Sequence, residues 1–401
     1  MQYRGDAQLK RIIRAYDYPI FIAVVLLCLF GLVMVYSSSM ITAVARYGQS
    51  MDFFLQKQRT SMIIGFIAML MTMIFPYKAY ANKKFLMTMM LGIAGLLGLL
   101  GIVGHTAGNA TSWFQLGSRN LQPAEFAKLA MIIYLSAIYG KRQDRINNID
   151  KAVIPPIVFL VIITALIVFQ PDVGTAVVVL GISGAIILSS GMSLKSLSKL
   201  IGILLVAFAV IALGAVVTGQ ASELVSKERV SRFTGLAEPF SEENAKDAGY
   251  QLANSLLAIG SGGVTGVGLG DSVQKYGYLA ESHTDFIMAI IAEELGIFGV
   301  IFVLGLLGFI VLRGFMLSAK CPDPYGSLLL IGISSMIGIQ VVINIGGVTG
   351  LLPITGITLP FISYGGSSLL LLMLSMGVMQ NVIMRMNLLE EKQKKESKIS
   401  A

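Results

Sequence analysis

Asp285 stands in the run Glu281-Ser282-His283-Thr284-Asp285-Phe286-Ile287, where a polar stretch meets an apolar one. A carboxylate partly sheltered at such a boundary can act as a general base, because desolvation raises its pKa toward neutrality. It can equally cap a helix, with its oxygens meeting the free amides of the first turn. On local context the two readings stand level. A helix beginning by Glu281 would place Glu281 and Asp285 one turn apart on one face. His283 is one of only 2 histidines, and no second His or Cys lies near it in sequence, so it reads as a hydrogen-bonding neighbour and not a zinc ligand. Glu293 and Glu294 follow inside the same apolar stretch. On a helix they point about 100° apart, so both cannot face one narrow site with Asp285. Glu293 is the nearer of the two, and a polar interior contact or a helix break at Gly296 is the bland account of both.

Other candidates lie far away in sequence. Glu125 and Lys128 form an i, i+3 pair behind Gln122-Pro123-Ala124. Pro123 suits the first turn of a helix and Glu125 its positive end, which gives a cap plus a local ion pair. The alternative is that Lys128 faces a phosphate and Glu125 holds it in place. Asp172, in Gln170-Pro171-Asp172-Val173-Gly174-Thr175, sits at a tight turn and reads first as a helix cap. From Gly260 to Gly270, six of eleven positions are glycine. A dinucleotide loop needs a strand before it and a helix after it, and neither is available. A tight loop of positive φ or close backbone approach is the plainer account, and amides meeting a pyrophosphate at the membrane surface the other. The run Leu359-Pro360-Phe361-Ile362-Ser363-Tyr364-Gly365-Gly366-Ser367-Ser368 forces irregular backbone, which a membrane tolerates only inside protein or beside a wet cavity.

The elements that must position these residues are helices in a bilayer. The 401 residues are 55% hydrophobic and only 13% charged, with mean hydropathy +0.78. Apolar stretches near the ~20 residues needed to cross a ~30 Å hydrocarbon layer recur along the chain. Ten spans are expected, over about 19–36, 61–75, 85–103, 126–139, 152–169, 174–192, 200–218, 286–312, 328–352 and 369–386. Their continuous apolarity excludes the alternation of a membrane barrel. With the N-terminus inside, 20 of the 30 Lys and Arg residues fall on the cytoplasmic side, as retention of positive charge in short loops requires. The predicted fold is therefore all-α and polytopic, with both termini cytoplasmic and a long extracytoplasmic loop, 219–284, between the seventh and eighth spans. Within that loop Tyr250 to Ile259 has helical apolar spacing and suits the membrane surface. Residues 1–386 form one transmembrane domain, and 387–401, polar and without apolar period, are expected to be a disordered tail. The net charge of +8 is what topology and anionic lipid headgroups predict, so membrane lipids are partners and nucleic acid is not. Cys28 and Cys321 are too far apart in the predicted topology to pair. The basic N-terminal segment and first span superficially resemble a cleavable signal, but the nine further spans favour its retention.

The motifs together resemble the SEDS family of FtsW, RodA and SpoVE type over nearly the whole chain. They are Gln122-Pro123-Ala124-Glu125 with Lys128, Gln170-Pro171-Asp172 with Gly174-Thr175, the run from Gly249-Tyr250-Gln251 to Gly270, His283-Thr284-Asp285-Phe286-Ile287 with Glu293-Glu294-Leu295-Gly296, and the 359–368 run. The resemblance implies polymerisation of lipid II, an undecaprenyl-pyrophosphate-linked disaccharide pentapeptide, into β-1,4 glycan strands at the outer leaflet. It implies Asp285 as the catalytic base and, as substrate contacts, Glu125, Lys128, Asp172, Arg229, Arg232, Gln251, Lys275, Glu281, His283, Thr284, Ser363, Gly365 and Ser367. Charge on the leaving pyrophosphate would be offset by Lys128, Arg229 or Arg232, by glycine-loop amides, or by a divalent cation, magnesium or manganese. No cofactor is otherwise implied.

Gly31 to Ser39 and Phe53 to Gln58 are more similar to the FtsW and SpoVE branches than to RodA, which implies septal wall synthesis in the plasma membrane. One departure stands out: relatives often carry Arg directly before the Trp of the second outer loop, where this chain has Ser112 before Trp113, with Arg119 the available substitute. The expected partners are a class B penicillin-binding protein that cross-links the strands and other membrane proteins of the division complex. Two rival readings stay open, a lipid II flippase or other transporter and a non-catalytic scaffold for a transpeptidase.

Overall fold

A computed structural model describes residues 10–103, 105–107, 110–116, 119–143, 146, 154–217, 235–241 and 248–400. In chain order its elements are α1 (Tyr18–Tyr47), α2 (Phe53–Ile74), the short α3 (Tyr77–Tyr80) and α4 (Lys83–Val103). A ribbon follows, of β1 (His105–Ala107), β2 (Ala110–Leu116) and β3 (Arg119–Leu121). Then come α5 (Pro123–Lys141), α6 (Ile154–Phe169), α7 (Val173–Leu188), α8 (Leu194–Val217), α9 (Ala248–Gly262), α10 (Ile287–Lys320), α11 (Pro324–Val348) and α12 (Gly366–Ser400). Each of the ten predicted spans falls on one of the long helices, and α9 supplies the amphipathic helix expected around 250–259.

Local chemistry sets the helix starts. Asp17 caps α1 by accepting the Ile20 amide, Asp172 caps α7 through Thr175, and Asp323 caps α11 through Gly326. Each side-chain oxygen satisfies a donor that has no partner inside the helix. Pro123 opens α5, where a missing N–H costs nothing.

On several helices packing buries one face and leaves another, also apolar, exposed. On α1, Ile20, Val24, Leu27 and Met34 are buried, whereas Ile22, Leu26, Leu29 and Val33 are exposed at helical spacing. On α8, Leu205, Val206, Val210 and Leu213 are exposed too. Contiguous apolar surface on this scale has bilayer as its solvent. Among the described residues, five helices are long and apolar enough to cross a membrane by length and composition, and two more are apolar but shorter. Buried polar groups tie the bundle at the end opposite Asp285. Arg313 donates to both oxygens of Asp17 at 2.9 Å, and Gln380 bonds Asp17 backbone through both its amide groups.

The all-α expectation gains one addition and the tail changes. The ribbon is an antiparallel three-stranded sheet, Trp113 facing His105 and Leu116 facing Arg119 in register. The tail beyond Asn387 is not disordered: α12 runs on to Ser400. Its charges are paired at helical spacing, Lys395 with Glu391 and Lys392 with Glu396, and Arg11 holds Glu391 at 2.8 Å. Such pairs stabilise a helix without an apolar face.

Candidate functional site

Asp285 does not lie on a helix with Glu281. Residues 281–286 form a tight turn, in which Thr284 and Phe286 both donate their amides to the Glu281 carbonyl, and α10 starts only at Ile287. The carboxyls still converge. The Thr284 hydroxyl lies 2.8 Å from Asp285 Oδ1 and 2.9 Å from Glu281 Oε2. A hydroxyl has one proton to give, so the two acids compete for it. Asp285 is half-buried.

Backbone carbonyls and amides of the turn are its main anchors. Asn344 on α11 donates to the Asp285 carbonyl at 2.8 Å and to the Ile357 carbonyl at 2.7 Å. Ser363 donates to the Thr284 carbonyl at 2.6 Å and accepts the Leu359 amide. The Tyr364 amide donates to the His283 carbonyl. Gln58 on α2 donates to the Ser363 carbonyl and accepts the Gly365 amide. The irregular 349–365 segment therefore cradles Asp285, and a shallow recess beside it is lined by Asn344, Thr355, Gly356 and Ile357.

His283 is buried, its ring 4.4 Å from that of Phe54 and 5.6 Å from that of Tyr364. Burial first, and the nearby Arg46 second, lower its pKa to about 4, so it is neutral at physiological pH and not a proton donor there. An unfolded chain would bind that proton below about pH 6.5. Stability from this residue is thus complete above pH 6.5, falls as pH drops toward 4, and falls no further below that. A His283→Phe protein is expected to show a smaller drop in thermal midpoint between pH 7.5 and 5 than the unaltered chain in the same detergent. An identical drop would remove His283 as its source.

A second polar cluster lies across the cradle. Gly174, in the first turn of α7, leaves no room for a side chain: an added Cβ would come within 2.8 Å of the Thr355 carbonyl. Asp172 next to it accepts from the Thr175 amide at 3.0 Å and from the Gln122 side chain at 2.8 Å. Desolvation raises its pKa above the ordinary carboxylate value and the Glu125 charge adds to this, while Thr175 and the Lys128 charge oppose it. Lys128 pairs with Glu125 at 2.6 Å and is fully buried. Asp172 is thus a helix cap, Glu125 and Lys128 are an ion pair without a cap bond, and the Lys128 amine is buried. Ser367 joins the clusters, accepting the Gln122 amide and donating to the Asn120 carbonyl.

Other candidates are placed differently or lie outside the described residues. Lys275 is fully buried and paired with Glu294 at 2.8 Å. Gln251 is half-buried in the first turn of α9, and Arg229 and Arg232 lie outside the described residues. Three amides of the glycine loop are turned into the fold: Gly266 bonds the Gly262 carbonyl, and Val267 and Gly268 bond the Glu293 and Glu294 carbonyls. Sequence reasoning missed Gln58, Asn344 and Arg46. Asn344 interrupts an apolar span and was a readable signal, whereas Gln58 precedes the second span in a polar stretch. Arg46, exposed at the end of α1 with its guanidinium 3.9 Å from Glu281, could be found only from the fold. Among the described residues no group of three or more His, Cys, Asp or Glu gathers to hold a metal.

Apolar-faced helices closed around a hydrogen-bonded polar turn define a multi-pass helical membrane protein with a site at one end of its bundle. The family model described as "Cell cycle protein", which covers FtsW, RodA and SpoVE, matches residues 18–388, and the chain belongs to that family. It is 52% identical over 388 residues to the probable peptidoglycan glycosyltransferase FtsW of Bacillus subtilis strain 168, covering 97% of this chain and 95% of that one. Stage V sporulation protein E of the same strain is 38% identical over 374 residues, covering 91% and 96%. A solved structure described as "Structural coordination of polymerization and crosslinking by a peptidoglycan synthase complex" matches with TM-score 0.69 at 25% identity, over 92% of this chain and 98% of that one. The rod shape determining protein RodA of Thermus thermophilus matches with TM-score 0.64 at 25% identity, over 92% and 97%.

Proposed function

We propose that this chain is a peptidoglycan glycosyltransferase that polymerises lipid II at the outer leaflet of the plasma membrane, in septal wall synthesis, with Asp285 as general base. The observation that carries it is the turn at 281–286: its backbone is fixed by Asn344 and Ser363, and the Asp285 carboxylate stays half-buried at the mouth of a recess. The similarity to a relative named as a glycosyltransferase supports the reaction class.

In this reading Asp285 takes the proton from the 4-hydroxyl of the acceptor sugar. The freed electron pair of that oxygen forms a bond to the donor's anomeric carbon, and the bond from that carbon to the pyrophosphate oxygen breaks with inversion. The leaving group carries away the electron pair as undecaprenyl pyrophosphate. Arg46, exposed beside Glu281, is placed to meet that charge, and Lys128 contributes from beneath the surface. Glu281, Thr284 and Asp172 supply acceptors or donors for sugar hydroxyls. A magnesium or manganese ion is the alternative source of positive charge.

Ten bilayer crossings with both termini cytoplasmic put the Asp285 turn outside, and a class B penicillin-binding protein is the proposed partner. The family's solved relative from a peptidoglycan synthase complex supports such a partner. Two measurements test the reading. Purified protein with purified lipid II is expected to make glycan strands when the transpeptidase is added, and a membrane-impermeant maleimide is expected to label Tyr278→Cys in intact cells. No polymer under any condition, or labelling only after the membrane is opened, would sink it.

A further inference from the structure

We propose that the buried Lys275–Glu294 pair is a positioning device that holds the Asp285 turn in place, and that Lys275 does not contact substrate phosphate. The inference rests on the proposed role of Asp285.

Both side chains are fully buried, and Nζ lies 2.8 Å from Glu294 Oε1. The ammonium has three protons to donate. They are taken by Glu294, by the Ser37 hydroxyl oxygen at 3.3 Å and by the Gly270 carbonyl. Nothing is left for a phosphate. On the other side, the Ser37 hydroxyl lies 2.7 Å from both oxygens of Glu294. The neighbouring acid is used in the same way, since Glu293 accepts the Ser272 hydroxyl and the Val273 amide.

These contacts join three elements: α1, the turn 271–276, and α10 just before its break at Gly296. The chain between the partners is the stretch 275–294, and Asp285 lies near its middle. The pair therefore closes a loop around the proposed base, and Ser282 pins that loop again by donating to the Ser38 carbonyl at 2.9 Å. A buried ion pair that loses one member leaves an uncompensated charge, whereas replacing both by apolar groups of similar volume is often neutral. A residue that binds substrate by its charge behaves differently, because removing its partner as well cannot restore it.

The test is a double-mutant cycle with Lys275→Met, Glu294→Leu and the pair together, in the full-length protein with its transpeptidase and lipid II. Each single change is expected to lower kcat by ~100-fold with KM within about threefold, as for a misplacement of the reacting groups by about 1 Å. The double variant is expected to return to within about fivefold of the unaltered protein. A double variant as inactive as Lys275→Met but melting normally would show that substrate needs the lysine charge, and would overturn the proposal. Fully active single variants would overturn it too. A second readout does not need turnover: the rate of maleimide labelling of Asp285→Cys should change with Lys275→Met and return in the double background. If the unaltered protein makes no polymer, the functional reading fails, and this labelling cycle alone decides the positioning role.

Discussion

Replacing Asp285 with Asn is expected to lower lipid II polymerisation by about 10³-fold, within the range that a positioned general base contributes. Asn keeps the size and can still meet the Thr284 hydroxyl, but it cannot take up a proton. The fold should not notice. Asn344 grips the Asp285 carbonyl and Ser363 grips that of Thr284, so both anchors use backbone and survive the change. Thermal midpoint and binding of the transpeptidase should therefore match the unaltered protein. Glycan chains resolved on a gel, from purified lipid II with the partner present, give the measurement. Polymerisation within tenfold of the unaltered rate would remove Asp285 from the chemistry.

The second large effect concerns the fold beneath the site. Gly296 has φ 62° and ψ −156° in the middle of α10, a region that only glycine enters readily and that costs other residues about 1–3 kcal/mol. Space forbids a side chain as well, since a Cβ there would come within 2.4 Å of the Val264 carbonyl and 2.5 Å of the Gly266 nitrogen. The break is compensated by exchanged hydrogen bonds: Ile297 donates to Val264, while Val267 and Gly268 donate to Glu293 and Glu294. Gly262 comes equally close to Ala292. A Gly296→Ala protein is expected to accumulate poorly or to melt well below the unaltered chain. Gly305→Ala in the same helix, where an added Cβ meets nothing within 4 Å, should be neutral or stabilising, because Ala is favoured in helices by about 0.5–1 kcal/mol. Equal melting of the two variants would mean that the break is not needed.

The long helices were legible because a bilayer-spanning segment announces itself by apolar length, whatever its neighbours do. The break at Gly296 was legible too, as one of two accounts of a paired acid inside a span. The ribbon at 105–121 was not, because three short strands beside a bundle have no run long enough to show a period. The tail was misread for the reverse reason: Glu391 and Lys395 lack an apolar stripe, and their helix rests on spaced charges and on Arg11 from the other end of the sequence. At the site, residue types pointed to Asp285 and Glu281 and the resemblance to Thr284, but the turn that gathers them is visible only in the fold. Lys275 shows the limit most clearly. The resemblance implied it as a substrate contact, and only the fold reveals that its partner is the buried Glu294.

The helix that starts beside the site does not stop at the far side of the bundle. At 35 residues, α12 is about 52 Å long at 1.5 Å per residue, which exceeds a ~30 Å hydrocarbon layer by several turns. Its first residue, Gly366, follows directly on the segment that holds Ser363 against Thr284, and its last turns carry Glu391 and its basic neighbours. One rod thus joins the charged tail to the segment beneath the Asp285 carboxylate, at the other end of the bundle. Whatever grips the tail therefore grips the same helix whose first residue continues the segment that anchors Thr284.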